Sequence, residues 1–501
     1  MSFVKHPLIN PDTIEMRTYQ ETILGTASQK NTLCVIPTGM GKTTIAIMLA
    51  ALRLQKYPNS KVLIMAPTKP LTEQHQRSFR EFMNIPEEEI VLVTGKIDPK
   101  KRKDLYEFAQ VIAATPQTIQ NDIRNNIIDL YEFSLLIVDE CHRSVKKYAY
   151  PFVVKHYVEE SKYPRVLGLT ASPGSDETKI KKLCQNLCVE SVEIRTDTDE
   201  DVKPYIKEIE TEYVRVDLPE NLKEAQSILK KALKIRLDKL KKYNLFINNK
   251  RDLLDAQRKV SREISTSKKP ILFYTISLIV QAVKIWHTLE LMETQSVKAV
   301  NIYIQKLKKG KTKSDTALIK DPDFTKAISI IEKSEEHPKL FKLKEVVNEE
   351  LDKNKAARII VFSHFRDNIQ NIYETIGDVC KPVILIGQSG ERGLSQKEQI
   401  EVIMEFNDGY YNCLITSPIG EEGLHIPSAD IAIFYDSVAS EIRTIQRRGR
   451  VGRTKVGKII FLLTRKTRDE GYYWTSQRRE AKMKTILKSM QKKGKTINDF
   501  V

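Results

Sequence analysis

The chain has 501 residues, about three times a typical domain length, so roughly two to four domains are expected. Its 82 Lys and Arg against 65 Asp and Glu leave a net charge of +17, which suits a polyanionic partner. A hydrophobic share of 41% excludes a disordered chain, and 19 Gly with 20 Pro exclude a collagenous one.

Taken in chain order, short β-branched runs at 31–36, 61–67, 89–95, 110–116, 135–140 and 165–172 predict strands buried on both faces. The segments between them are long enough for crossover helices, so this region reads as a doubly wound α/β lobe. From about 205 to 336 the pattern changes to long amphipathic helices. Residues 229–242 place Leu229, Leu233, Leu237 and Leu240 on one stripe, surrounded by bases with one acid, Asp238. Residues 306–313, KLKKGKTK, read as a basic loop. The longest apolar run, 271–283, stops at Lys284 and is read as too short to span a bilayer.

A second α/β lobe follows over 337–473, with strands expected at 358–364, 382–387, 412–418, 431–436 and 458–464. One of its helices opens with a capping box, Ser395 to Glu398, and is expected to turn Ile400, Ile403 and Met404 inward. Residues 474–501 form a basic tail with Met483, Ile486, Leu487 and Met490 in helical register. The six cysteines form no CxxC pair, and Cys184 and Cys188 read as small core residues. With no secretory apolar region at the N-terminus, the chain is expected to be intracellular, without a membrane segment.

The first lobe carries recognisable chemistry. PTGMGKT (37–43) follows a strand and opens a helix. Gly39 and Gly41 free backbone N–H groups to curl around phosphates, Lys42 reaches the β- and γ-phosphates, and Thr43 ligates Mg²⁺. The strict P-loop pattern has Gly where this chain has Ile36. The strand 135–140 then ends in Asp139 and Glu140, the first suited to Mg²⁺ and the second to polarising an attacking water. Lys42, Asp139 and Glu140 together describe nucleoside triphosphate hydrolysis.

The ordered set MRTYQ (16–20), PTGMGKT, APTKPL (66–71), ATPQT (114–118), VDECH (138–142), LTASP (169–173), VFSHFRDN (361–368), TSPIGEEGLHIP (416–427) and QRRGRVGR (446–453) resembles a superfamily 2 helicase over nearly the whole chain. The DECH form, GQSGERGLSQKEQ (387–399) and IQRRGRVGR resemble the archaeal Hef helicases, relatives of the Fanconi anaemia M translocases. The Dicer and RNA-sensing helicases are neighbouring branches. The resemblance implies two RecA-like doubly wound lobes, 1–204 and 337–473, with a helical, basic nucleic-acid grip at 205–336 between them.

The resemblance also implies roles. Gln20 would read adenine, with Arg17 and Tyr19 framing the pocket, so ATP is the expected nucleotide. Thr38, Gly39, Met40, Gly41, Lys42, Thr43 and Thr44 would cradle its phosphates, with Mg²⁺ on Thr43 and Asp139. His142, Thr170 and Ser172 would couple nucleotide state to the second lobe. Gln446, Arg450 and Arg453 would complete the site from that lobe, the arginines as fingers on the γ-phosphate. Gly423 fits a motif whose usual Asp is here His425, which leaves the ribose contact open.

Thr68, Lys69, Thr115, Ser363, His364 and Thr416 would touch nucleic-acid phosphates. Lys230, Lys231, Lys234, Arg236, Lys308 and Lys309 would serve the grip. The family reading is a DNA helicase or translocase on forked or branched DNA in replication-fork repair, running 3′ to 5′, in an archaeal cell. A double-stranded-RNA translocase and an ATP-locked clamp stay open as alternatives. Ile497 and Phe500, near the terminus, are spaced as in sliding-clamp-binding peptides, though an ordinary tail fits them too.

Overall fold

A computed structural model describes residues 2–145, 148–205, 209–267, 269–310, 312–388, 393–417, 429–437 and 457–493. The first lobe is a seven-stranded parallel sheet built from β1 (Thr32–Val35), β2 (Lys61–Met65), β3 (Ile90–Val93), β4 (Val111–Ala114), β5 (Phe133–Val138), β6 (Val166–Thr170) and β7 (Ser191–Ile194). Their order is β3-β4-β2-β5-β6-β1-β7. Strands β1, β4 and β5 are buried along their whole length, because helices cover both faces of the sheet. Because every pairing is parallel, each strand points the same way, so the loops after β1, β2, β4, β5 and β6 gather at one end. That end is where the open parallel sheet receives ligands.

The second sheet has six strands in the order β10-β11-β9-β12-β13-β8, with β8 (Ile209–Val216), β9 (Ile359–Phe362), β10 (Pro382–Leu385), β11 (Cys413–Thr416), β12 (Ile431–Phe434) and β13 (Gly457–Thr464). Strand β8 corrects the expected organisation. The segment from 205 does not begin with helices: Ile209 to Val216 pair in parallel with Gly457 to Thr464 at the edge of the second sheet. Its alternating, charged sequence, IETEYVRV, is that of a half-solvated edge strand and carries no continuous apolar run.

The insert proper is a helical bundle. Helix Glu220–Lys241 packs on Pro270–Thr294 and Pro322–Glu332, and Lys250–Thr266 also packs on Pro270–Thr294. The leucine stripe holds: Leu229, Leu233 and Leu240 are buried and Leu237 packs partly buried against the same core. The apolar run read as too short to span a bilayer is part of the helix Pro270–Thr294, which is 25 residues long. By length and composition that helix could cross a membrane. Here it is the central helix of the bundle, with Leu278, Ile279, Ala282, Ile285 and Leu289 buried and Lys284 paired to Asp315. The expected basic loop at 306–313 is shorter, since Lys306 and Lys308 close the helix Val297–Lys308 and Lys313 opens the next.

In the second lobe the Ser395–Glu398 capping box is present in both directions. The inward face of that helix differs from expectation. Ile400 and Met404 are exposed, Ile403 is half-buried, and Gln399 and Phe406 turn inward instead. Gln399 goes in because its amide donates to the carbonyls of Ile386 and Leu394.

The basic tail is not separate from the lobes. A helix from Arg468 to Lys493 leaves β13 and returns to the first lobe, where Met483, Leu487 and Met490 join the core beside β7. Lys488 pairs with Asp199 at 2.7 Å and the Gln491 amide donates to Glu193 at 2.9 Å. The chain therefore ties its second lobe back to its first. Among the cysteines, Cys184 is buried as expected, whereas Cys188 is half-buried in a left-handed turn (φ 51°).

Candidate nucleotide site and nucleic-acid track

The loop between β1 and the helix Lys42–Lys56 turns through Gly39 (φ 86°) and Gly41 (φ 76°), both in the left-handed region. The positive φ at Gly41 calls for glycine, and a Cβ there would stand 2.3 Å from Gln20 Nε2, so a larger residue would also displace the Gln20 amide. Tyr19 OH donates to the Met40 carbonyl at 2.7 Å and Gln20 Nε2 to the same oxygen at 3.3 Å. This pair clamps the loop from below. Gln20 Oε1 remains a buried acceptor with no hydrogen bond, beside the loop a nucleotide would occupy. Arg17, held by Glu15 at 3.0 Å, lies over the Tyr205 ring.

Lys42 Nζ reaches the carbonyls of Ile36 at 3.3 Å and Pro37 at 3.5 Å, folded onto the loop whose cradle a phosphate would fill. Thr38 Oγ1 is buried there without a hydrogen bond. Thr43 and Thr44 follow at the start of the helix, half-buried. A glycine cradle, an amine and orphaned polar atoms at a helix N-terminus fit a triphosphate.

At the end of β5, Asp139 is buried and its Oδ2 lies 2.9 Å from His75 Nε2. Burial alone would raise the Asp139 pKa. The hydrogen bond and charge of His75, with Lys42 nearby, outweigh it and hold the carboxylate below its ordinary value. Glu140 adopts φ 46°, a conformation uncommon outside glycine that clusters at functional sites. Its Oε2 lies 3.2 Å from His142 Nδ1, which is also 3.2 Å from Thr170 Oγ1. Thr170 in turn donates to the Ser172 carbonyl, and Ser172 Oγ meets Met483 Sδ of the C-terminal helix at 3.0 Å. The three expected coupling residues therefore form one chain of contacts. It extends to a residue the sequence did not tie to them. The carboxylate of Asp139 and the hydroxyl of Thr43 are oxygen donors of the kind that hold Mg²⁺ together with substrate phosphates.

The expected nucleic-acid residues fare unevenly. Thr68 and Thr115 sit at helix N-caps on the first lobe, the first with a buried hydroxyl lacking a hydrogen bond and the second bonded to Thr118 at 2.8 Å. Lys69 is half-buried and pairs with Glu73. On the second lobe Ser363 and Thr416 are fully buried, with Ser363 Oγ donating to Asp436 at 3.1 Å and Thr416 Oγ1 to the Leu385 carbonyl. Neither presents its hydroxyl to a phosphate in this conformation. The His364 backbone N–H donates to the same Asp436 carboxylate at 2.7 Å.

In the insert, Lys230, Lys231 and Lys234 are exposed on the helix face opposite the leucine stripe. Lys309 is also exposed, and Lys308 pairs with Glu332 at 2.6 Å. Arg236 is a correction. It is buried and donates to Asp321 at 2.8 Å and Gln281 at 3.1 Å, because its position falls on the core stripe with Leu229, Leu233 and Leu240. Gly423, His425, Gln446, Arg450, Arg453, Ile497 and Phe500 lie outside the described residues.

Two parallel-sheet lobes, a P-loop and Asp-Glu pair on the first, and a helical insert ahead of most of the second define a superfamily 2 helicase. Residues 17–180 match the DEAD/DEAH box helicase family and 341–455 the helicase conserved C-terminal domain. Residues 221–338 match the helical bundle of the family described as "Putative ATP-dependent RNA helicase". The crystal structure of the Pyrococcus furiosus Hef helicase domain superposes with a TM-score of 0.74 at 41% identity, covering 94% of this chain and all of that one. The chain belongs to the Hef and Fanconi anaemia M family of helicases.

The "Putative ATP-dependent RNA helicase MJ1505" of Methanocaldococcus jannaschii is 42% identical over 97% of this chain and 63% of its own length. The ATP-dependent DNA helicase fml1 of Schizosaccharomyces pombe is 32% identical over 91% of the chain and 58% of its length. The mouse Fanconi anemia group M protein homolog is 30% identical over 94% and 26%. The chain thus spans less than two thirds of these curated relatives. The residue that sequence reasoning missed at the site is His75, a lone histidine whose place beside Asp139 depends on the crossing of two distant elements.

Proposed function

We propose that the chain is an ATP-driven DNA helicase or translocase acting on forked or branched DNA in replication-fork repair, moving 3′ to 5′. The observation that carries the reading is the gathering of the Gly41 cradle, Lys42, Asp139 and Glu140 at one end of a parallel sheet. From there a continuous contact chain through His142, Thr170 and Ser172 reaches the helix leaving the second lobe. Lys42 would hold the β- and γ-phosphates, while Thr43 and Asp139 hold Mg²⁺. Bound Mg²⁺ supplies charge neutralisation on the phosphates. Glu140 would orient and deprotonate the attacking water. Arg450 and Arg453 would stabilise the transferring phosphoryl group, a contribution of roughly 10³–10⁵ in rate where such fingers act. With Lys42 and the arginines on different lobes, hydrolysis would be tied to lobe closure, and reopening would step the protein along the strand.

DNA is favoured by the relatives named as DNA helicases and by the match to the Hef helicase domain. A double-stranded-RNA translocase is the second reading, supported by the insert's match to a family named for RNA helicases. Clamp binding through Ile497 and Phe500 is a subsidiary proposal, tested by titrating the terminal peptide against the cognate clamp; no binding removes it. The main test is steady-state ATP hydrolysis with forked DNA, single-stranded DNA and double-stranded RNA at one fixed salt, with Lys42→Ala as the blank. Greatest stimulation by the fork is expected. Greatest stimulation by RNA would transfer the protein to the second reading, and stimulation by none would leave an ATP-locked clamp.

A further inference from the structure

The end of the helical bundle farthest from the second lobe carries rings that its own core does not use. Helix Glu220–Lys241 runs antiparallel to Pro270–Thr294, since Gln226 bonds Glu293, Arg236 bonds Gln281 and Tyr243 meets Tyr274. Tyr243 therefore sits at the free tip, against the first turns of the central helix. Tyr243 and Tyr274 stand edge to face with centroids 6.1 Å apart, yet both are exposed. Phe273, half of whose surface faces solvent, adjoins them, and Phe246 in the following loop is 70% exposed. Exposed aromatic surface gathered in one place, on a chain with a well-filled core nearby, marks a binding site rather than packing.

The charge around the tip identifies the occupant. In residues 239–246 and 262–274, the stretches that meet at the tip, there are six Lys and Arg against one acid, Glu263. Lys239, Lys242, Lys259, Arg262 and Lys269 are exposed and none makes an ion pair among the described residues. A collar of uncompensated cations around flat rings is complementary to a polyanion that also offers flat apolar faces. Unpaired nucleotides are that ligand: phosphates meet the cations and bases stack on the rings. A duplex hides its base faces, and an acidic peptide offers few rings to stack. The tip also continues the exposed basic face of the same helix, where Lys230, Lys234 and Lys241 span about 17 Å of axis.

We infer that the tip formed by Tyr243, Phe246, Phe273 and Tyr274 is a stacking platform for unpaired bases. The basic face below it would take the adjoining duplex. This inference rests on the nucleic-acid reading above and refines it, because it specifies why a branched substrate would be preferred over a plain duplex.

The test uses the full chain at fixed salt and three probes: a fork with unpaired arms, the same fork with abasic arms, and a blunt duplex. Tyr243→Ser/Tyr274→Ser is expected to weaken the normal fork by roughly five- to tenfold per stacked ring, with abasic fork and duplex unchanged. Phe246→Ser, on an exposed loop, supplies an independent variant if the double substitution disturbs folding. Undiminished binding of the normal fork by the variants overturns the platform. An equal loss on the abasic fork also overturns it, since the contact would then be to the backbone. A parent protein whose ATP hydrolysis no nucleic acid stimulates sinks the helicase reading and the platform together; a stimulated parent with undiminished variants sinks the platform alone.

Discussion

Two of the regions where buried charge gathers, the nucleotide end of the first lobe and the junction between insert and second lobe, arrange it differently. At the nucleotide end, polar atoms are left over: Gln20 Oε1, Thr38 Oγ1 and Thr68 Oγ1 are buried without hydrogen bonds. The junction too holds buried atoms without hydrogen bonds, His337 Nε2, Gln295 Oε1 and Thr464 Oγ1 among them, but there the charges answer one another. Lys339 and Asp469 are both fully buried and paired at 2.5 Å. Arg468 meets Glu293 at 3.0 Å and lies over Trp286, and Glu290 gathers Lys250, His287 and Tyr472. Burial would raise the Glu290 pKa, but those partners hold it down at about 2. The difference teaches that burial of charge does not by itself mark a reactive site. What separates the regions is what stands beside the orphaned atoms: a glycine-turned loop, an amine and two adjacent carboxylates at the nucleotide end, and mutually compensated ion pairs at the junction.

The substitution expected to divide them most sharply is Glu140→Gln. It should reduce ATP turnover by roughly 10²–10⁴, the range for a positioned general base, while nucleotide binding and the unfolding midpoint stay put. Unchanged turnover in a single-turnover assay would break the mechanism. The junction should respond in the opposite way to Lys339→Met. Leaving Asp469 buried without its cation should cost about 3–5 kcal/mol in denaturant unfolding, and Lys339→Met/Asp469→Asn should recover part of that loss. A loss below about 1 kcal/mol would show that the pair is not an organising contact.

The two regions were unequally legible in the sequence for a physical reason. Phosphate chemistry needs glycine, lysine and carboxylates at fixed spacing after a strand, so residues 37–43 and 138–142 announced themselves locally. Lys339 and Asp469 lie 130 residues apart, and nothing near either one signals the other. His75 and Asp139 are likewise brought together only by the fold, across 64 residues. Strand β8 escaped because an edge strand alternates polar and apolar residues instead of forming an apolar run. Arg236 is different. Its position on the stripe with Leu229, Leu233 and Leu240 was visible, and counting it as one of a basic run obscured it. Ile400 and Met404 were expected inward on apolarity alone, which does not show that Gln399, bonded to the Ile386 and Leu394 carbonyls, takes the buried side of that helix.

His75 offers a smaller effect at the nucleotide end. His75→Ala removes the hydrogen bond that helps keep Asp139 ionised, so apparent Mg²⁺ affinity in the ATPase assay should fall by roughly 10–100-fold. Excess Mg²⁺ should restore turnover. A defect that Mg²⁺ cannot restore would mean that His75 acts through the fold instead.

The gentlest test falls on the junction again. His337 is fully buried, and its Nδ1 accepts the Lys339 backbone N–H at 3.2 Å as a helix cap. Burial, reinforced by the Lys339 charge, lowers its pKa from 6.5 to about 3. Below pH 6.5 the unfolded chain takes up a proton that the folded ring refuses. The ring's contribution to stability is therefore complete above that pH and declines as pH falls toward 3, by up to about 1.4 kcal/mol per pH unit. His337→Asn retains a capping acceptor and removes the titration. Between pH 6.5 and 5 the parent should lose stability relative to the variant at that slope, with Glu290 contributing little because its folded and ordinary values, about 2 and 4.5, lie lower. Parallel unfolding profiles for the two proteins would show that the buried imidazole gains its proton without opening the junction, and the contrast between the two regions would lose its pH signature.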